Sequence, residues 1–205
     1  MNDLPTKDEL VSLLEASVLR FNNSNDRETL LVPPDWGLEY PVSEFRVAHE
    51  QAISHRLAFY LEDSLRQKKF ITDDGPLVVD CEYNQHLFDR KKNRVLVGEA
   101  HSFLAAGRKP LPVGGRDDVF EFEVRPDILV HRRGYDGPTN LLVLEIKRWT
   151  NPDKQHDEQK LKLLTKLGLN TFGYVLGGSV YARNDLPEKQ RMLELGLRIH
   201  DGLPC

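Results

Sequence analysis

The chain has 205 residues, 40% of them hydrophobic and 29% charged, with a formal net charge of −4. This composition excludes a disordered or fibrous protein, and the length suits one domain around one core better than two equal domains. A net negative charge argues against affinity for nucleic acid by bulk charge, so such binding would need local clusters of Lys and Arg.

The start, MNDLPTKDEL, lacks the basic flank and apolar stretch of a signal peptide, and no run of about 18 apolar residues follows, so a cytoplasmic protein with no membrane partner is expected. Thr6 followed by Glu9 is a capping box, after which Leu10, Leu13, Leu14, Val18 and Phe21 recur at helical spacing. A helix is predicted there. From Asn22 to Pro41, with Pro33 and Pro34 adjacent, the chain reads mostly as an irregular connection. Ser43 can cap a second helix running to about Gln67, with Val47, Glu50, Ser54, Leu57, Leu61 and Leu65 in steps of three and four. Glu50 is the wrong residue for that stripe, because a buried carboxylate is costly unless a cation or hydrogen-bond donors meet it.

After Gly75 and Pro76 the run LVVDCEYN has strand character. An insertion of uncertain structure, about 85–122, comes next and gathers Arg90, Lys91, Lys92, Arg94, Arg108, Lys109 and Arg116; an ordinary solvated surface accounts for such charges equally well. VRPDILVHR and NLLVLEIKR are two strand-like runs separated by Gly134, Tyr135, Asp136, Gly137 and Pro138, so an antiparallel hairpin is predicted. Asn151 as N-cap, Pro152 at the first helical position and Gly168 at the end delimit a third helix. A buried strand is expected around 171–177, then a last helix near 187–195 and a polar tail. Cys81 and Cys205 have no partner at metal-ligand spacing and are expected as thiols.

Alternation along the second hairpin strand puts Leu141, Val143, Glu145 and Lys147 on one face and Leu142, Leu144 and Ile146 on the other. Asp127 follows Pro126, whose missing N–H suggests an edge or a bulge, and the hairpin can bring Asp127 level with Glu145. Two carboxylates that close repel each other unless a divalent cation joins them, and all-oxygen ligation suits Mg²⁺ or Mn²⁺. Such a metal can polarise a phosphoryl oxygen and lower the pKa of water. Lys147 is then placed to orient the attacking water, and the backbone carbonyl of Ile146 is a further candidate ligand.

Pro126-Asp127 followed by Glu145-Ile146-Lys147 resembles the motif of the PD-(D/E)XK nuclease-like superfamily, over roughly residues 43 to 178. The resemblance implies an α/β fold with a restriction-endonuclease-like αβββαβ core, a mixed central sheet flanked by helices, and here extra N- and C-terminal helices. It makes residues 1–205 a single domain, with a core at about 43–178, a helical extension at 1–42, the insertion at about 85–122, and a C-terminal helix and tail at 182–205. It implies a Mg²⁺- or Mn²⁺-dependent phosphodiesterase acting on nucleic acid, DNA ahead of RNA, with Asp127, Glu145, Lys147 and Glu50 as catalytic residues. Asp127, Glu145, Glu50 and the Ile146 carbonyl would hold metal, and a homodimer would let a small domain cut both strands.

Lys160, His131 and Arg148 are candidate substrate contacts, Lys160 because it shares a helical face with Asp157, Leu161 and Leu164. Asp80 and Glu82 are as apt to face solvent as metal. His49 and Glu50 open a zinc-protease pattern, but the second His would be required where Ile53 stands, and His55 is out of phase. The alternatives are an inactive nuclease fold that binds nucleic acid or protein, and an accessory subunit of a defence or repair system.

Overall fold

The computed structural model describes residues 4–31, 50–81, 85–86, 89–90, 92–96, 111–113, 116–123, 126–133, 140–147, 160–162, 164–165, 174–183 and 194–200. Helix α1, Lys7–Asn22, starts at the expected capping box: the Thr6 hydroxyl accepts from the Glu9 N–H and the Glu9 carboxylate accepts from the Thr6 N–H. Its buried stripe contains Leu10, Leu13, Leu14, Val18 and Phe21, the residues whose spacing predicts it. A short helix α2, Asn25–Leu30, interrupts the expected irregular connection, because the Ser24 side chain accepts from the Asp26 N–H and caps it. Helix α3, Glu50–Gln67, ends where its periodicity stops; the Ser43 cap and residues 32–49 lie outside the described residues.

Five strands form the main sheet: β1 (Leu77–Cys81), β7 (Ile128–Arg132), β8 (Asn140–Lys147), β9 (Leu176–Arg183) and β10 (Glu194–His200), in the order β1-β7-β8-β9-β10. The strands between β1 and β7 belong to the expected insertion. There β2 (Gln85–His86) pairs with β3 (Asp89–Arg90), while β4 (Lys92–Leu96), β5 (Leu111–Val113) and β6 (Arg116–Glu123) make a small antiparallel sheet. In the main sheet β8 and β9 are parallel and the other neighbours antiparallel. A parallel pair requires a crossover, and residues 160–162 and 164–165 within it are helical. The caps predicted at Asn151 and Gly168 lie outside the described residues.

Both faces of this mixed sheet are covered, which is why β8 is buried on both sides from Asn140 to Ile146. Leu142, Leu144 and Ile146 join Leu10, Leu14, Leu57 and Leu61 of α1 and α3 in the larger core. Val143 and Leu129 meet Leu161, Leu164 and Tyr174 on the opposite side. Among the described residues, no helix is long and apolar enough to cross a membrane.

Residues 187–193 of the expected last helix lie outside the described residues, while 194–200, expected as its end and a polar tail, form strand β10, whose ELGLRIH alternates with period two and buries Leu195. The strand expected around 171–177 lies at 176–183, with Gly177 and Gly178 inside it. A Cβ on Gly178 would stand 2.8 Å from Leu144 Cδ2, so this glycine permits close approach between strands and does not mark a turn. Of the edge or bulge suggested by Pro126, the edge does not occur, since β7 runs between β1 and β8, while the regular ladder starts only at Ile128.

Candidate active site

Register builds the site. Ile128 faces Leu144 and Leu129 faces Val143, and the Asp127 N–H donates to the Leu144 carbonyl at 3.2 Å. Leu144 thus meets both Ile128 and Asp127, an irregularity at the start of β7 that leaves Asp127 close enough for its charge to bear on Glu145. The Asp127 carboxylate accepts the Ile146 N–H at 2.6 Å, which fixes its orientation. In a strand the N–H and C=O of one residue point to the same side, so the Ile146 carbonyl also turns toward the Asp127 side of β8.

Glu145 is 2% exposed and meets Lys160, itself 9% exposed, with Nζ 2.5 Å from Oε1. Lys160 holds this carboxylate through both its charge and a hydrogen bond. Lys160 sits in the helical crossover segment, which Leu161 and Leu164 anchor against Leu129, Val143 and Tyr174. Burial pushes the Glu145 carboxyl up to about 7, the charge of Asp127 adds to the rise, and Lys160 and Lys147 oppose it. Burial raises Asp127 as well, with the Ile146 N–H, Lys160 and Lys147 opposing and Glu50 reinforcing.

Asp127 and Glu145 therefore lie within electrostatic reach of each other and of Lys147 and Lys160, and Asp127 also within reach of Glu50. Glu50, in the first turn of α3, bears on Asp127 from the helix that covers the larger core. Among the described residues, no three His, Cys, Asp or Glu side chains form a group able to hold a metal ion by themselves. The convergence is of a buried acid, a half-buried acid and two ammoniums, with the third acid at its margin. That set still fits a hard cation: Mg²⁺ commonly takes one or two carboxylates and completes its shell with water and substrate oxygens. The Glu145 carboxylate, met at Oε1 by the Lys160 ammonium, is a group that such an ion would share.

The other candidates separate clearly. His131 is 3% exposed, with Nε2 2.9 Å from Asp80 Oδ2, and Arg133 donates from Nε to the same oxygen at 3.0 Å and from Nη2 to Oδ1. Burial works to raise the Asp80 carboxyl, but the hydrogen bonds and charges of His131 and Arg133 outweigh it and bring the group to about 2. His131 is thus engaged by a buried carboxylate, and Asp80 faces the interior instead of solvent. Arg148, Asp157, Glu82 and His49 lie outside the described residues. The strong role of Lys160 was faintly legible as a lysine on the apolar face of its helix; the Asp80–His131–Arg133 group joins residues 51 and 53 positions apart and left no local signal.

No protein-family profile matches the chain, and no curated protein matches it. A solved structure titled "Crystal structure of SSO0001" is similar at a TM-score of 0.31 and 15% identity, over 93% of this chain and 76% of that one. A likeness of that size adds nothing to the reading of fold or site.

Proposed function

We propose that this chain is a divalent-metal-dependent nuclease with a restriction-endonuclease-like αβββαβ core, hydrolysing phosphodiester bonds in DNA ahead of RNA. The observation that carries this reading is the pair of neighbouring acids, Glu145 buried on β8 and Asp127 half-buried just before β7, with Lys147 and Lys160 beside them. Neighbouring like charges are costly unless a cation is shared between them, and a purely structural pair has no need of two.

Asp127, Glu145 and the Ile146 carbonyl would hold Mg²⁺ or Mn²⁺, with Glu50 supporting from α3. When bound, the ion supplies Lewis-acid polarisation of a phosphoryl oxygen and a more acidic water. Asp127 is held by the Ile146 N–H, so its carboxylate does not have to reorient during the reaction. Lys147 Nζ orients the attacking water and stabilises the negative charge that grows on the phosphate as the bond to the leaving sugar oxygen breaks. Lys160 Nζ provides a second positive charge for a non-bridging phosphate oxygen.

The Lys160–Glu145 ion pair favours one other reading, an inactive fold in which the ammonium permanently closes the site and the chain serves as a binding module. Incubation of labelled DNA and RNA with Mg²⁺ or Mn²⁺ separates the two. Cleavage by the native chain that disappears in Lys147→Ala supports the nuclease; equal background from both proteins on every substrate rejects it.

A further inference from the structure

We propose that Lys160 is the resident counter-ion of Glu145, competing with the divalent cation for that carboxylate and leaving it when the cation arrives. This inference rests on the reading that Asp127 and Glu145 hold a metal. A carboxylate as buried as Glu145 is not left ionised without a positive charge nearby, and Lys160 Nζ, at 2.5 Å, supplies one in the metal-free protein.

The contact has the properties of an exchangeable partner. Lys160 holds Glu145 Oε1 through the charge and hydrogen bond of a single flexible ammonium, so an ion that supplies that charge can take its place. Asp80, two strands away on the same sheet, is held differently, with donors on both oxygens from a ring and a guanidinium. A lysine ammonium is a strongly hydrated point charge on a flexible four-carbon stem and can move without disturbing the backbone. The backbone of Lys160 is held independently, by Leu161 and Leu164 in the smaller core. The same exchange places the cation requirement under the control of a residue that the Asp, Glu-x-Lys motif does not contain.

The test uses the intact protein. Brief acylation of the native chain, with and without saturating Mn²⁺, is read by peptide mass spectrometry at Lys160, with the exposed Lys162 as internal reference. Lys160 modification is expected to rise severalfold with Mn²⁺ while Lys162 is unchanged. In parallel, calorimetric titration of Lys160→Gln should show Mn²⁺ binding tighter by about tenfold or more, the worth of one competing charge at close range. Circular dichroism confirms that the variant is folded, and the labelling arm needs no variant. A native chain that binds Mn²⁺ without any change at Lys160, or a folded Lys160→Gln that binds no tighter, overturns the exchange and leaves the metal site standing. Absence of Mn²⁺ binding by both proteins overturns the exchange together with the nuclease reading beneath it.

Discussion

Asp80 and Glu145 lie on one face of one sheet, with β7 between their strands, and both are buried, yet they are met in opposite ways. Around Asp80 the ring of His131 and the fork of Arg133 reach both oxygens, and the acid falls to about 2. Around Glu145 one ammonium reaches Oε1, a second acid stands nearby, and burial pushes the group up to about 7. Burial is common to the two, so it cannot be what distinguishes a structural carboxylate from a reactive one. The balance of partners is the difference: the first acid is met on both oxygens by two side chains, and the second by a flexible ammonium with a like charge beside it.

The widest separation between the two regions should be in catalysis. Asp127→Asn and Lys147→Ala are expected to lower cleavage by about 10²- to 10⁴-fold, the usual range for removing a group that acts on the reacting atoms. Asp80→Asn should stay near the native rate. A gel assay with end-labelled DNA in Mn²⁺ measures all three, and a comparable loss in Asp80→Asn would break the comparison.

The next largest effect is a pair of pH dependences with opposite signs. Glu145 has a folded value raised from 4.5 to about 7, so the stability it contributes to the metal-free protein is complete below 4.5 and is lost as pH rises through about 7. At about 1.4 kcal/mol per unit this amounts to at most about 3 kcal/mol. Asp80 is lowered from 3.8 to about 2, so its contribution is present above 3.8 and is lost as pH falls through about 2. Urea unfolding from pH 2 to 8 should show both limbs, with the neutral limb flattened by saturating Mn²⁺, which binds the folded state. A metal-free stability that climbs between pH 5 and 7 would contradict the Glu145 limb.

Smaller still is the cost of removing the satisfied acid. Asp80→Ala should destabilise the chain by about 2 kcal/mol, because charge-assisted bonds from His131 and Arg133 are lost and the His131 ring stays buried. Thermal unfolding at pH 7 measures it, and an unchanged midpoint would show the Asp80 group to be dispensable.

Local patterns carried most of the architecture from sequence alone. The Thr6–Glu9 box, the apolar stripes of α1 and α3, and the runs around Ile128 and Val143 each state their element within a few residues. The hairpin followed from them, and with it the juxtaposition of Asp127 and Glu145. Elsewhere one local signal masked another. The tail after 187–195 was expected as polar, while the two-residue period of Leu195, Leu197 and Ile199 describes the strand that forms beside β9. The buried strand expected around 171–177 extends through Gly178, whose missing side chain is set by the approach of Leu144 across the sheet. The partner of His131 was beyond any local pattern, since Asp80 reaches it through the sheet register, and Lys160 was legible only as a lysine on an apolar helical face, not as the partner of Glu145.

Calorimetric titration of Mn²⁺ at pH 8 into the native chain, Asp127→Asn, Glu145→Gln and Asp80→Asn bears most directly on the claim that Asp127 and Glu145 share a cation. The account predicts binding in the native chain and in Asp80→Asn, and its loss in Asp127→Asn and Glu145→Gln. Binding that survives unchanged in the latter two, or a native chain that takes up no Mn²⁺, would contradict it.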